Sequence, residues 1–429
     1  MKITRASNLS GRLTMPGDKS MSHRAAMFAA IAEGTTKIGN FAASADCAST
    51  LGCLSALGIG VEREGSNVTV KGAGKNGFTK PKSDLDCGNS GTTMRLMAGI
   101  LSGQRFESVL TGDESLQKRP MKRVIDPLTQ MGASIASENG CAPLRIKGSG
   151  LAGLEYRLPV ASAQIKSCVL LAGLFADGET TVIEPTPTRD HTERMLRWFG
   201  CELIEETADS GKRITISGDH VLKANDFVVP GDVSSSAFFL VAAACLPGSS
   251  LVLENVGLNP SRIAVIDALK RFGANIDIQN ERIACNEPVG DIAVSGLIAQ
   301  SGESHVLKGE IIANLIDEIP ILAVFGTQLD GGLEIRDARE LRVKESDRIT
   351  SVVTNLRAMG AEVSEFEDGL KVERSNLTAA AIDSFGDHRI AMAFAVAGLL
   401  ATGETEIIGA DCAAVSYPSF FEDLASVRR

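Results

Sequence analysis

Pro16-Gly17-Asp18-Lys19-Ser20-Met21-Ser22-His23-Arg24 reads as a tight turn entering a helix. Asp18 and Ser20 are residues of the kind that satisfy orphan backbone N–H groups at a helix start. Residues 25–32 continue as a run of small apolar side chains, and Gly34-Thr35-Thr36-Lys37-Ile38 turns into a β-branched strand. The pattern of turn, polar cluster, apolar run and strand then recurs. Gly88-Asn89-Ser90-Gly91-Thr92-Thr93 leads into 94–101, and Ser162-Ala163-Gln164-Ile165-Lys166-Ser167 leads into 169–175. Gly231-Asp232-Val233-Ser234-Ser235-Ser236 leads into 237–246. A looser copy, Ile316-Asp317-Glu318, leads into 319–325, and Gly386-Asp387-His388-Arg389 leads into 390–401. Copies spaced by roughly 70 residues are an internal repeat, which decides the fold before any single element does.

A second piece recurs between these. Leu57-Gly58, Met131-Gly132, Phe199-Gly200, Phe272-Gly273 and Met359-Gly360 each close an amphipathic stretch and precede alternating residues. Glycine there suits a left-handed helix C-cap. The alternation predicts hairpins, such as Val61-Glu62-Arg63 returning through Gly65-Ser66-Asn67 to Val68-Thr69-Val70. The unit is therefore helix, strand, helix, strand, strand, with mixed sheets and helices on one side. The expected fold is α/β, with two similar lobes of three units each. Residues 1–14 and 231–429 form lobe 1, completed by the short N-terminal segment, and 15–230 form lobe 2. The crossovers fall at Met15-Pro16 and Val229-Pro230, where two strands would make a hinge and the cleft between lobes a binding site.

The 429 residues suffice for two large cores, and 43 glycines with 4% aromatics fit tightly packed small-residue helices. A net charge of −10 argues against nucleic acid or an anionic membrane as partner. Nine singly scattered cysteines suit a reducing cytoplasm. The first fourteen residues show no apolar signal segment, and 390–401 is too short to span a bilayer.

The polar turns are where chemistry is expected. Helix N-termini attract anions. Lys19, Arg24, Arg95, Arg119, Lys166, Arg189, Lys344, Arg348 and Arg389 lie within or just beyond these turns. Guanidinium groups match carboxylates and phosphates, although an isolated Arg is more often a solvated surface residue. Lys344-Glu345-Ser346-Asp347-Arg348, read as helix, puts Lys344 and Arg348 on one face; its plainer reading is a salt-bridged exposed helix. Asp317-Glu318 stands at the mouth of the apolar run 319–324 and offers a general base, or simply a helix cap. Gly17-Asp18-Lys19-Ser20 lacks the glycine directly before lysine that a phosphate-binding P-loop needs. The five histidines and the cysteines fall in no metal-ligand spacing, so no metal is expected.

Four of these stretches resemble the signatures of the 5-enolpyruvylshikimate-3-phosphate synthase family. They are Leu13 to Arg24, Gly88 to Arg95, Arg342-Val343-Lys344-Glu345-Ser346-Asp347-Arg348, and Gly386-Asp387-His388-Arg389, in order from end to end. The resemblance implies the inverse α/β barrel-like, two-lobed enolpyruvyl transferase fold. It also implies transfer of enolpyruvate from phosphoenolpyruvate to shikimate 3-phosphate with release of phosphate, without metal or organic cofactor. By the same resemblance, Lys19, Ser20, Arg24, Ser162, Ala163, Gln164, Arg189, Asp317 and Lys344 correspond to positions holding shikimate 3-phosphate. Lys19, Gly91, Arg119, Gln164, Arg348 and Arg389 correspond to positions around phosphoenolpyruvate. Asp317 matches the proton acceptor of the 5-hydroxyl, with Glu345 or Lys19 delivering a proton to the methylene carbon. A cytoplasmic monomer acting on these two small molecules, with no nucleic-acid or membrane partner, is implied.

The chain departs from the best-known pattern. Ser162-Ala163-Gln164 replaces two serines before Gln, Leu96 replaces Pro, and Val415 stands where another branch has Lys. Lys166 and Thr188-Arg189-Asp190-His191 look like the branch that uses Arg for the sugar-acid phosphate. Gly91 leaves room beside phosphoenolpyruvate, so glyphosate is expected to bind. Two alternatives stand beside this reading: the sister enolpyruvyl transferase of UDP-N-acetylglucosamine, which opens with a Gly-x-Lys-Asn turn and uses a catalytic Cys, and a non-catalytic binding protein of the same fold.

Overall fold

The computed structural model describes residues 1–208, 211–298 and 305–429. The chain divides into two compact units. Met1–Pro16, Pro230–Ile283 and Pro288–Arg429 form the first; Gly17–Val229 with Ala284–Glu287 forms the second. Each unit has its own apolar core.

In the second unit, three helices follow the polar turns: Lys19–Ile31, Gly91–Ser102 and Ala163–Gly173. All three are buried over most of their surface, which explains their run of Ala, Met, Leu and Gly rather than a one-sided apolar stripe. Small residues let them approach closely. A Cβ on Gly99 would sit 2.4 Å from the carbonyl oxygen of Cys168, so only glycine permits this helix crossing. Each is followed by a four-stranded mixed sheet. Glu33–Gly39 pairs in parallel with Phe227–Val228 and antiparallel with Asn67–Ala73, which returns to Gly60–Glu64. The sheets around Glu107–Thr111 and Glu179–Glu184 repeat this order.

In the first unit the corresponding helices are Val233–Cys245, Ile319–Gly326 and His388–Leu400. Two of its sheets have four strands, and the N-terminal strand Ser10–Thr14 supplies the parallel edge beside Ser250–Gly257. The sixth copy departs from the expected unit. No hairpin follows Glu404–Ile408; instead Lys2–Thr4 pairs with it antiparallel, in a three-stranded sheet with Ala381–Asp383. The first fourteen residues thus serve two sheets of one unit.

The expected punctuation is present. Asp18, Ser90, Ser162, Asp232 and Asp387 each accept a hydrogen bond from a backbone N–H in the first turn of their helix. Gly58, Gly132, Gly200, Gly273 and Gly360 all have left-handed φ between +81° and +104°.

Candidate active site

In the second unit, the turn before each buried helix presents polar groups. Lys19 opens its helix and reaches Asp46, Nζ to Oδ2 at 2.9 Å, with both side chains mostly covered. Ser20 follows, half-buried. Arg24, one turn on, is buried and braced: Nε donates to Thr192 Oγ1 at 2.8 Å, Nη1 to the Ser20 carbonyl at 3.0 Å and Nη2 to Ser167 Oγ at 2.8 Å. It therefore ties the first repeat's helix to the third repeat while carrying a fixed positive charge.

Gly91 opens the next helix. A Cβ there would lie 2.7 Å from Arg95 Nη1 and 3.7 Å from Arg119 Nη1, so two guanidinium groups flank this glycine. Arg119 Nη2 donates to Asn89 Oδ1 at 2.7 Å, and Asn89 in turn donates to Asp113. Arg95 Nη1 donates to Gln164 Oε1 at 2.7 Å, while Gln164 Nε2 donates to Thr92 Oγ1 at 2.9 Å. The Gln164 amide is thereby held in one orientation, beside Ser162, which caps the third helix, and the half-buried Ala163. Arg189 lies in the segment leading to the helix His191–Trp198 and is half-buried.

A hydroxyl chain joins the first two helix starts. His23 Nδ1 meets Thr50 Oγ1 at 2.7 Å, Thr50 Oγ1 meets Thr93 Oγ1 at 2.7 Å, and Thr93 Oγ1 donates to Ser90 Oγ at 2.8 Å. Burial lowers the His23 pKa to about 3, so this imidazole is neutral and structural.

Lys166 does not serve an anion site. Its Nζ is fully buried between Glu193 Oε1 at 2.7 Å and Glu184 Oε2 at 2.9 Å. Burial works against its charge, but the two carboxylates outweigh it and hold its pKa above the ordinary lysine value.

The first unit carries the expected general base. Asp317 is about four-fifths covered and lies near three cations: Arg348 Nη1 at 3.5 Å, Lys344 Nζ at 3.9 Å and Arg389 Nη2 at 4.0 Å. Arg389 Nη1 also donates to the Asp317 carbonyl at 2.8 Å. Arg348 is wholly buried; Nη2 meets Glu345 Oε2 at 2.7 Å and Nε meets Asp387 Oδ2 at 2.7 Å. Burial alone would raise the Asp387 pKa, yet the Arg348 charge and hydrogen bond, with His388, hold it below the usual carboxylate range.

The expected Lys344–Arg348 helix does not form. A 3₁₀ turn, Arg339–Val343, ends at Lys344, whose backbone is extended, and a new helix, Arg348–Ala358, begins after Asp347. Asp347 accepts from the Thr350 N–H, so its cap breaks the stretch in two. Arg342 secures the intervening loop, donating from Nη1 to Asp347 Oδ2 at 3.0 Å and to Glu365 Oε1 at 2.7 Å. Lys344 and Arg348 nevertheless both face Asp317, through a loop rather than along a helix face.

Nothing in the sequence singles out Asp46, and Arg95 reads there only as a cation near a turn. Asp46 follows the capping Ser44, a local signal of a helix start that says nothing of Lys19. Among the described residues, no cluster of three or more His, Cys, Asp or Glu side chains could hold a metal. No described helix is long and apolar enough to cross a membrane.

A family model described as EPSP synthase (3-phosphoshikimate 1-carboxyvinyltransferase) matches residues 3–424. A relative from Salinibacter ruber named 3-phosphoshikimate 1-carboxyvinyltransferase is 52% identical over 431 residues, covering 99% of this chain and 98% of its own length. A relative of the same name from Brevibacillus brevis is 49% identical over 432 residues, covering 100% of this chain and 99% of its own length. A solved EPSP synthase structure from Acinetobacter baumannii superposes with a TM-score of 0.89 at 43% identity, covering 100% of this chain and 98% of that one. By sequence over nearly its whole length and by fold, this chain belongs to the EPSP synthase family.

Proposed function

We propose that this chain transfers the enolpyruvyl group of phosphoenolpyruvate to the 5-hydroxyl of shikimate 3-phosphate, releasing phosphate. The observation that carries the reading is Asp317, a mostly covered carboxylate with Arg348, Lys344 and Arg389 within 3.5–4.0 Å. As a carboxylate it can take up the hydroxyl proton, and the cations around it can receive the negative charge of substrates. Lys19, Ser20, Arg24, Ser162, Ala163, Gln164, Arg189, Asp317 and Lys344 are assigned to shikimate 3-phosphate. Lys19, Gly91, Arg119, Gln164, Arg348 and Arg389 are assigned to phosphoenolpyruvate.

The chemistry is addition followed by elimination. The 5-hydroxyl gives its proton to Asp317 while its oxygen bonds to C-2 of phosphoenolpyruvate. C-3 gains a proton from Glu345 or Lys19, giving a tetrahedral intermediate with a methyl group. That methyl then gives a proton back to the group that supplied one, the double bond re-forms, and the C–O bond to phosphate breaks, the phosphate oxygen keeping the electron pair. Only proton transfers and C–O bond changes occur, so the chemistry calls for neither a metal nor an organic cofactor. Glu345, ion-paired to buried Arg348, is the carboxylate assigned to carry that proton.

Phosphate release with phosphoenolpyruvate and either sugar substrate tests the assignment. Turnover with shikimate 3-phosphate supports it. Turnover only with UDP-N-acetylglucosamine would transfer it to the sister reaction, and none with either would leave a binding protein. A monomeric, cytoplasmic enzyme completes the proposal, and sedimentation at working concentration tests the first of these attributes.

A further inference from the structure

Glu318 adjoins the base Asp317 but faces different partners. It is the N-cap residue of the helix Ile319–Gly326, yet its side chain accepts no backbone N–H there. Its carboxylate is almost wholly buried. Oε1 accepts from Ser234 Oγ. A hydroxyl has one proton, already given to Glu318, so Arg262 Nη2 at 2.8 Å donates to the Ser234 oxygen. The same Arg262 nitrogen lies 3.3 Å from Asp232 Oδ1, the cap of the helix Val233–Cys245. Ser234, Arg262 and Asp232 are themselves buried. Glu318 is therefore fixed by a chain anchored on another helix.

The same oxygen, Glu318 Oε1, also lies 3.6 Å from Arg389 Nη1, the atom that donates to the Asp317 carbonyl at 2.8 Å. Burying a carboxylate is costly unless it is paired and hydrogen-bonded. Here the compensation comes from one hydroxyl and one guanidinium, and that guanidinium, Arg389, is among those assigned to phosphoenolpyruvate. We propose that Glu318, locked by Ser234 and Arg262, is a positioning residue that holds Arg389 aimed at the anionic substrate. The proposal rests on the assignment of Arg389 to phosphoenolpyruvate. Holding Nη1 in advance spares the rotamer freedom that a loose arginine loses on binding.

The test uses Glu318→Gln, which keeps the volume and the acceptor for Ser234 but removes the charge facing Arg389. Its KM for phosphoenolpyruvate should rise about tenfold, as expected when one long side chain must be ordered on binding. The KM for shikimate 3-phosphate should stay within about twofold, because no sugar-acid contact is assigned to Arg389. In a double-mutant cycle with Arg389→Lys the two effects should not add. Independently of turnover, modification of Arg389 by phenylglyoxal in the substrate-free protein, read by peptide mass spectrometry, should be faster in Glu318→Gln. Additive kinetic effects, equal rises in both KM values, or an unchanged labelling rate would each overturn the proposal, as would a lowered Tm with kinetics and labelling intact. If the wild-type protein turns over neither sugar substrate, the functional assignment fails, and the labelling rate still decides whether Glu318 holds Arg389.

Discussion

Asp387 grips Arg348 through a 2.7 Å hydrogen bond from Nε to Oδ2, at a point where both side chains are cut off from water. The same carboxylate accepts from the backbone N–H of Arg389 and so caps the helix His388–Leu400. One residue thus fixes a cation assigned to substrate and starts the helix that carries a second.

Removing Asp387 should therefore cost stability as well as activity. Breaking a buried pair leaves an uncompensated charge, which typically costs about 3–5 kcal/mol. Asp387→Ala should lower the unfolding free energy in urea by that order, and Asp387→Asn by less, because its amide oxygen can still accept from Arg348. A loss below about 1 kcal/mol in the alanine variant would mean that Arg348 finds other compensation.

Asp317 is assigned the proton of the 5-hydroxyl. Asp317→Ala should reduce kcat by at least about 10²-fold, the lower end of general-base contributions. Shikimate 3-phosphate should still bind measurably by calorimetry, since Lys19, Arg24 and Arg189 are untouched. Near-normal turnover would remove the assigned role. Lys19→Ala offers the converse: weakened binding of both substrates.

The repeat was legible because its signals are local. Each cap residue adjoins its own apolar run, and each C-cap glycine closes its own amphipathic stretch; the five left-handed glycines answer to that pattern. What escaped depends on partners distant in sequence. Lys166 and Arg24 look alike in a sequence, both cations just past a polar turn. Only Glu184 and Glu193, brought in by a neighbouring strand and helix, show that Lys166 is internally neutralised. Asp46 reaches Lys19 across 27 residues, with no periodicity to announce it. The Lys344–Arg348 stretch failed for a local reason: Asp347 is a better cap than helix interior, and the i,i+4 spacing of the charges concealed that.

Lys166 therefore yields a prediction opposite in kind to that for Lys19. Lys166→Met leaves two buried carboxylates without their cation, and the loss of a buried ion-pair partner costs about 3–5 kcal/mol. The variant should melt earlier, yet its folded fraction should keep near-normal KM values for both substrates. A selective loss of shikimate 3-phosphate affinity in fully folded protein would return Lys166 to the binding set.

Gly91 separates Arg95 from the space in front of the helix. A methyl group there would stand 2.7 Å from Arg95 Nη1, a flexible terminus that can shift but is occupied with Gln164. Gly91→Ala should raise the KM for phosphoenolpyruvate more than that for shikimate 3-phosphate. The wild-type protein should bind glyphosate competitively with phosphoenolpyruvate, and the alanine variant should bind it more weakly. Inhibition that is absent, or not competitive with phosphoenolpyruvate, would reject that expectation.

His23 ties the stability of this protein to pH. Its folded-state pKa is pushed by burial to about 3 from an ordinary 6.5. The depressed group is neutral when folded and takes up a proton when unfolded, so protons favour the unfolded chain throughout that interval. The stabilisation is complete above pH 6.5 and is lost as pH falls through the folded pKa near 3. The slope from this one residue is about 1.4 kcal/mol per pH unit. Carboxylates held low, such as Asp387, add to the loss at the acid end of the window, so the wild-type slope alone does not isolate His23. The comparison that does is His23→Gln, which can still hydrogen-bond to Thr50 but cannot titrate. Urea unfolding at several pH values between 4 and 7 should give a wild-type curve steeper than the variant's by one proton. Parallel curves would mean that His23 is protonated in the folded protein, and that the hydroxyl chain through Thr50, Thr93 and Ser90 carries a charge at its end.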